Sequence, residues 1–242
     1  MIRNSGSKGL SWMALLFGIA ALVLRKWLYA NAVDGKGLLL RNHPGEIGLA
    51  ALTAAALTIV VLAVRKLETS GAYEDFYTAD LPSAFGNVAA GAGILATMLT
   101  GTPGTGSYLE SAWRILGLAA PVCLCLVGVA RAWGKKPFFG FHVAACLFFV
   151  LHIVTRYQFW SGNPQIQDYI FSLLGAMTLM FFGFYSAALE AGCGGVRMKL
   201  GMGLTAVYLS LAELARSACP WLYLGGILWV LTDLGSMKRL SE

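Results

Sequence analysis

Charged residues are scarce in this sequence, and their scarcity excludes the commonest class of protein. Only 12% of the 242 residues are Asp, Glu, Lys or Arg, whereas 57% are hydrophobic. Soluble domains carry about 25% charged residues on average. The chain is therefore predicted to be an integral membrane protein and not a water-soluble domain.

Motifs for metals and cofactors are also missing. The chain has three histidines and five cysteines, and no two cysteines have the CxxC spacing of zinc or redox sites. His142 and His152 would lie about 15 Å apart along one α-helix, too far to bind a single haem iron. No P-loop, nucleophile elbow or zinc-protease helix is present. We therefore expect no haem, zinc, iron or other cofactor.

Long hydrophobic runs are the main feature that is present. Each has about 17 to 23 residues, close to the length that a helix needs to cross a hydrocarbon core of about 30 Å. Eight such runs lie at 10–28, 46–64, 84–101, 112–131, 138–156, 168–190, 199–217 and 220–236. Because the connectors are short, the sequence predicts one all-α domain over residues 1–242, a polytopic transmembrane helix bundle of about eight spans.

The net charge of +6 follows from the segments between the spans. Lys and Arg favour the cytoplasmic ends of membrane helices. If both termini are cytoplasmic, most of the basic residues fall on that side, namely Arg3, Lys8, Arg65, Lys66, Arg131, Lys135, Lys136, Arg197, Lys199, Lys238 and Arg239. The basic first outer loop is an exception. This topology explains the positive charge without a nucleic-acid partner.

Ionisable residues within the spans are candidate functional positions, because charges are costly in lipid. His152 and Arg156 are four residues apart, and Glu213 and Arg216 are three apart, so each pair shares a helix face. The predicted topology brings both pairs to the outer end of the bundle. There they indicate an outward-facing polar vestibule with guanidinium donors for a small anionic solute. The candidate ligand-binding residues are Arg114, His152, Arg156, Trp160, Asp168, Glu213 and Arg216.

The same residues also allow a structural interpretation. The charges could pair with one another or extend to the lipid interface, and Trp160 could belong to an interfacial aromatic belt. Asp168 follows the turn-forming pair Asn163-Pro164 and is well placed to cap the sixth helix. The sequence leaves open whether these residues form a pocket or structural ion pairs.

Stripes of small or polar residues run along several spans. The third span carries Gly86, Ala90 and Gly93 on one face, and the bulky Leu179 interrupts the stripe of the sixth span at mid-depth. Such stripes are typical of helices that pack closely in lipid. The alternative is that the sixth and seventh spans line a central polar pathway.

Acidic residues also lie towards the predicted cytoplasmic side. Asp233 could join Glu190 and Glu213 in a proton or cation relay. Asp233 could equally pair with Lys238 or with another basic residue near the inner interface. His142 lies on the same inner side and has an ordinary structural explanation.

Three distinctive motifs are spread along the chain. They are His43-Pro44-Gly45-Glu46, the run from Arg156 to Gln165, and Tyr223-Leu224-Gly225-Gly226 followed by Thr232-Asp233-Leu234. Together they resemble an uncharacterised family of multispan membrane proteins of anaerobic Gram-positive bacteria, over most of the chain. The resemblance implies a multi-pass protein of the bacterial cytoplasmic membrane, and it transfers no catalytic or binding residue.

Three functional hypotheses follow. The leading one is transport or binding of a small solute through the outward-facing vestibule. The second is a non-transporting scaffold or accessory subunit that docks partner helices or a second copy, which an outward-facing stripe of Gly86, Ala90 and Gly93 would support. The third is an enzyme acting on lipid substrates, which needs an acid and a base within hydrogen-bond reach. Membrane lipids are expected contacts in all three, and the absence of motifs favours a non-enzymatic role.

Overall fold

The fold consists of helices, as the composition predicted. The computed structural model describes residues 5–32, 43–65, 73–77, 80–100, 108–160 and 169–237, and no strand occurs within these ranges. Eight helices of 17 to 27 residues and one of four residues are present there. They are α1 (Ser5–Asn31), α2 (Pro44–Arg65), α3 (Tyr73–Phe76), α4 (Leu81–Thr100), α5 (Tyr108–Ala132), α6 (Gly140–Trp160), α7 (Ile170–Glu190), α8 (Val196–Glu213) and α9 (Pro220–Ser236).

Each of the eight hydrophobic runs forms one long helix, which confirms the predicted helical bundle. Six of these helices, α1, α2 and α4 to α7, are long and apolar enough to cross a membrane. The protein is thus a multi-pass membrane protein by the length and composition of its helices. Helix α8 carries Arg197, Lys199 and Glu213, and α9 has 17 residues, so their crossing of the membrane stays a prediction.

Six helices, α4 to α9, form a closed ring. Each packs against the next one in chain order, and α9 packs against α4 to complete the circle. Helix α1 packs against α8 from outside the ring, and α2 contacts both α1 and α8. The last six long helices therefore share one interior, and Ala14 of α1 with Val60 and Val64 of α2 extend its hydrophobic cluster beyond the ring.

The ring closes through a close approach of α4 and α9. A Cβ atom added to Gly93 would lie 2.5 Å from the carbonyl oxygen of Trp221, and one added to Gly225 would lie 2.7 Å from that of Ala89. Only glycine allows the two backbones to come this near. The stripe of Gly86, Ala90 and Gly93 consequently faces α9 inside the bundle, in agreement with its packing interpretation.

The interior of the ring is apolar at mid-depth. Leu124, Leu179, Phe182 and Trp229 are buried there in one hydrophobic cluster. Leu179 fills the space beside Gly226, where an added Cβ would lie 2.6 Å from its side chain. The interruption of the α7 stripe that the sequence indicated is therefore a real apolar layer.

Buried carboxylates lie at both ends of the bundle and give the ends their names here. The Asp233 side is where α4, α6 and α8 begin and α9 ends. The Glu213 side is where α8 ends. Arg25, near the end of α1, contacts Glu213, so α1 begins on the Asp233 side. Helix α1 therefore begins on the side where α9 ends, in agreement with the predicted topology.

Candidate functional site

A buried cluster of polar side chains lies at the Asp233 side, and every helix of the ring contributes to it. All of its members are at least nine-tenths buried. In chain order they are Tyr77, which follows α3, Ser83 of α4, Arg131 of α5, His142 of α6, Glu190 of α7, Lys199 of α8 and Asp233 of α9. We call this set the Asp233 cluster.

Asp233 lies at the centre of the cluster, where four donors surround its carboxylate. Oδ2 lies 2.6 Å from the Nζ atom of Lys199 and accepts a hydrogen bond of 3.0 Å from the Tyr77 hydroxyl. Oδ1 is contacted by the Arg131 guanidinium and accepts a hydrogen bond of 3.3 Å from the Ser83 hydroxyl. Two cationic and two neutral donors thus surround a single carboxylate, which the chain supplies itself through Asp233.

The four donors are also held by one another. Lys199 Nζ donates to the Tyr77 oxygen at 2.6 Å, and Arg131 Nη1 donates to the Ser83 oxygen at 2.6 Å. Both cations lie over the Tyr77 ring, with Arg131 Cζ 4.6 Å and Lys199 Nζ 4.7 Å from its centroid. Burial raises the pKa of the Tyr77 phenol, so the phenol stays protonated and can donate to Asp233.

Glu190 joins the cations to a histidine. Its Oε1 lies 3.4 Å from Arg131 Nη2, and its Oε2 lies 2.8 Å from His142 Nδ1. The imidazole of His142 stacks on Trp229 with ring centroids 5.8 Å apart and an angle of 10° between the planes. When His142 is neutral, the two cations balance the charges of Glu190 and Asp233.

Several polar atoms in this region have no hydrogen-bond partner among the described residues. They are His142 Nε2, Arg131 Nε and, on the ring stacked against His142, Trp229 Nε1. Buried polar atoms are normally paired, because an unpaired one costs about 1–3 kcal/mol. Similar unpaired atoms occur elsewhere, on Asn87, Trp113, His152 and Ser210, so these three atoms describe the surroundings of the Asp233 cluster and do not by themselves assign it a role.

A short segment covers the cluster at the Asp233 side. Tyr73, Phe76 and Tyr77 pack against Leu189 at the end of α7 and Val196 at the start of α8. The rings of Tyr73 and Tyr77 stack with centroids 5.0 Å apart. This packing places the Tyr77 hydroxyl within hydrogen-bond distance of both Lys199 and Asp233 and buries the charges.

Two of the predicted vestibule residues, Glu213 and Arg216, lie together at the Glu213 side. Glu213 Oε2 is 2.7 Å from Arg25 Nη1, and the same nitrogen donates to the carbonyl oxygen of Ala212 at 2.9 Å. The Arg216 guanidinium lies 4.6 Å from the centroid of the Tyr29 ring, which Arg25 also approaches. These charges therefore have contacts within the protein, as the structural interpretation expected.

The other described residues of the predicted set differ in burial. Arg156 is buried and contacts the Cys219 thiol, and His152 packs one turn deeper against the ring of Trp113. The Arg114 side chain is 63% exposed and pairs at 2.7 Å with Glu110 on its own helix. Arg114 thus lies apart from the buried groups.

Two predicted site residues cannot be placed. Asp168 lies outside the described residues, and so does the side chain of Trp160. Helix α7 begins at Ile170 with Tyr169 at its N-cap position. The capping interpretation of Asp168 stays a prediction.

Most of the Asp233 cluster escaped the sequence prediction. The sequence suggested a basic partner for Asp233, and the structure supplies two, Arg131 and Lys199; Lys238, the residue suggested first, lies outside the described residues. The sequence placed Arg131, Glu190, Lys199 and Asp233 at the same end of the bundle, but nothing in it indicated that these side chains meet. Ser83 and Tyr77 are too common as residue types to have been selected from sequence.

Among the described residues, no group of three His, Cys, Asp or Glu side chains could hold a metal ion. The chain matches no protein-family model, no curated protein and no solved structure. Its class is therefore defined by its helices: it is a multi-pass α-helical membrane protein with a buried charge cluster at one end of a six-helix ring.

Proposed function

We propose that the protein transports a small organic anion across a membrane and that the Asp233 cluster is the site where the anion binds. The observation that supports this proposal is the convergence of four donors on the Asp233 carboxylate. Donors that hold one carboxylate have the geometry to hold another. In this proposal Asp233 occupies the site until a solute carboxylate replaces it.

The free-energy cost of burying charges favours a functional role for the cluster over a purely structural one. Replacing a buried ion pair by apolar residues of similar volume is often neutral or stabilising. The ring is already held by the glycine contacts of α4 with α9 and by its apolar middle layer. Ionisable residues inside a membrane bundle commonly mark the path of an ion or a polar substrate.

A route for the anion follows from the two polar ends. The guanidinium groups of Arg156 and Arg216 would attract an anion at the Glu213 side, as proposed for the vestibule. The apolar layer of Leu179, Phe182 and Trp229 separates that end from the Asp233 cluster. This arrangement corresponds to an occluded conformation, and transport requires the layer to open. With the resemblance noted above, a bacterial cytoplasmic membrane is the proposed location.

An outward-facing stripe on α4 would have favoured the scaffold hypothesis, but the stripe does not face outward. Its predicted docking stripe on α4 is used inside the bundle, where Gly93 and Gly225 bring α4 against α9. Membrane lipids remain the proposed neighbours of the exposed apolar faces.

The first experiment is a binding test with Asp233→Ala, which removes the internal carboxylate. The thermal unfolding of purified protein in detergent is measured with formate or acetate, and with chloride at equal ionic strength. The carboxylates should raise the Tm of Asp233→Ala well above the chloride value, and they should do so less for the unchanged protein. Arg114→Ala, which alters an exposed pair, is the matched control and should show no carboxylate effect of its own.

The second experiment measures transport. Proteoliposomes are tested for uptake of radiolabelled succinate, glutamate and citrate, with protein-free vesicles as the baseline. Uptake that depends on Lys199 and falls in Lys199→Met would support the proposal. If no carboxylate stabilises Asp233→Ala and none is taken up, the proposed function is wrong.

A further inference from the structure

We propose that His142 takes up one proton for each anion that enters the Asp233 cluster, so that the protein is a proton–anion symporter. This inference rests on the proposed anion transport and names its coupling ion. It starts from an imidazole that is fully buried, held on one nitrogen and open on the other.

The two nitrogens of His142 have different surroundings. Nδ1 lies 2.8 Å from Glu190 Oε2, so the neutral ring carries its hydrogen there and donates it to the carboxylate. Nε2 then presents a lone pair that no described residue occupies. A proton can therefore add to Nε2 without first breaking a hydrogen bond.

Charge balance gives the reason for coupling. With His142 neutral, the positive charges of Arg131 and Lys199 match the negative charges of Glu190 and Asp233. The solute carboxylate that enters the site adds one negative charge to this buried set. An unbalanced charge in a low-dielectric interior is strongly unfavourable, and one proton on His142 restores neutrality.

Burial and the charged and titratable groups around His142 determine when the proton binds. Burial disfavours the charged ring most strongly, and Arg131 of α5 and Lys199 of α8 also oppose it. Glu190 of α7, 2.8 Å from Nδ1, favours it. Asp233 of α9 offsets these cations, and the neutral phenols Tyr73 and Tyr77 cover the cluster from the segment around α3; Cys146 lies one turn further along α6. An incoming anion further offsets the two cations, so anion binding and proton binding strengthen each other.

The proton transfer itself is simple. A hydronium ion at the Asp233 side gives its proton to Nε2 of His142, leaving water and an imidazolium that keeps its Nδ1–H contact with Glu190. Release on the other side of the membrane reverses this step. No other bond forms or breaks.

Trp229 provides a direct readout, because an imidazolium stacked on an indole quenches its fluorescence. The chain has seven tryptophans, so the contribution of Trp229 is taken as the difference between the unchanged protein and Trp229→Phe. This difference signal should fall as the pH is lowered. Added succinate should move the midpoint of the fall to higher pH, because the anion favours the protonated ring.

Matched variants assign the signal to His142. His142→Gln should lose the pH-dependent difference signal, whereas His152→Gln should keep it, although His152 is also buried against a tryptophan, Trp113. If His142→Gln does not fold, Glu190→Gln carries the test, since loss of the carboxylate should move the midpoint to lower pH.

The outcomes separate this inference from the proposed function. Succinate uptake by proteoliposomes with no titration of the Trp229 signal would overturn proton coupling and leave anion transport intact. A titration that succinate does not move would also overturn the coupling, even though His142 binds a proton. A titration that succinate shifts, lost in His142→Gln, supports the symport.

Discussion

Lys199 and Asp233 form an ion pair of 2.6 Å that joins α8 to α9 inside the ring, and neither side chain is more than 1% exposed. Asp233 also contacts Arg131, and together with Glu190 it compensates the two buried cations. Such a pair is costly to break, because removing one partner leaves an uncompensated charge in the interior.

Substituting Asp233 should therefore destabilise the protein strongly. We expect Asp233→Ala, measured without added carboxylate, to lose about 3–5 kcal/mol of unfolding free energy, the usual effect of breaking a buried pair. Arg114→Ala should change it by no more than about 1 kcal/mol, because its pair with Glu110 is largely exposed on the arginine side. Unfolding by denaturant in detergent measures both losses. Equal losses would show that Asp233 does not compensate buried cations.

The pair of Arg25 and Glu213 should behave as a structural ion pair between α1 and α8. Its side chains are 2% and 4% exposed, so Arg25→Met or Glu213→Met alone should cost about 3–5 kcal/mol. The double variant should regain most of that loss, because no buried charge is left unpaired. A double variant as unstable as the sum of the two single variants would contradict this explanation.

Glycine at position 93 should be essential for the contact of α4 with α9. Gly93→Ala would place a Cβ against the Trp221 carbonyl oxygen, and we expect a loss of about 1–3 kcal/mol from overpacking. Gly235→Ala is the control on the exposed side of α9, where nothing lies within 4 Å of the added Cβ. It should leave the stability unchanged or raise it by up to about 1 kcal/mol. Thermal unfolding in detergent distinguishes the two, and similar Tm values would show that α4 and α9 can separate without cost.

The predicted orientation can be tested with Cys193, which is exposed in the turn between α7 and α8 on the Asp233 side. If that side is cytoplasmic, a membrane-impermeant maleimide should label Cys193 in permeabilised cells and not in intact ones. Cys193→Ser provides the background from the other cysteines. Labelling in intact cells would invert the topology.

The pattern of helices followed from local sequence. Each run of about 20 apolar residues forms a helix in lipid, because a helix satisfies its own backbone hydrogen bonds there. Leu179 could likewise be read as an apolar interruption from its position in the α7 stripe. The candidate site was predicted less well. The vestibule residues were chosen from the charges at the other end of the bundle, and Arg131 and Lys199 served only as basic residues that indicate the cytoplasmic side.

The sequence did not indicate which helices lie side by side in the bundle. Arg131 and Asp233 are distant in the chain, and the alternation of spans predicts only that they share a depth. Whether they meet depends on the order of helices around the ring, which the close approach at Gly93 and Gly225 sets by bringing α9 against α4.

The sequence by itself determined that this is a membrane protein of long helices, because hydrophobicity and helix length are properties of each segment alone. It also determined which end of the bundle each charge occupies, since successive spans alternate in direction. Only the tertiary structure decided that Arg131, Lys199, Glu190 and Asp233 compensate one another in a single buried cluster. Charges in a low-dielectric interior interact through distance and mutual burial, and both are set by the packing of six helices and not by any one of them.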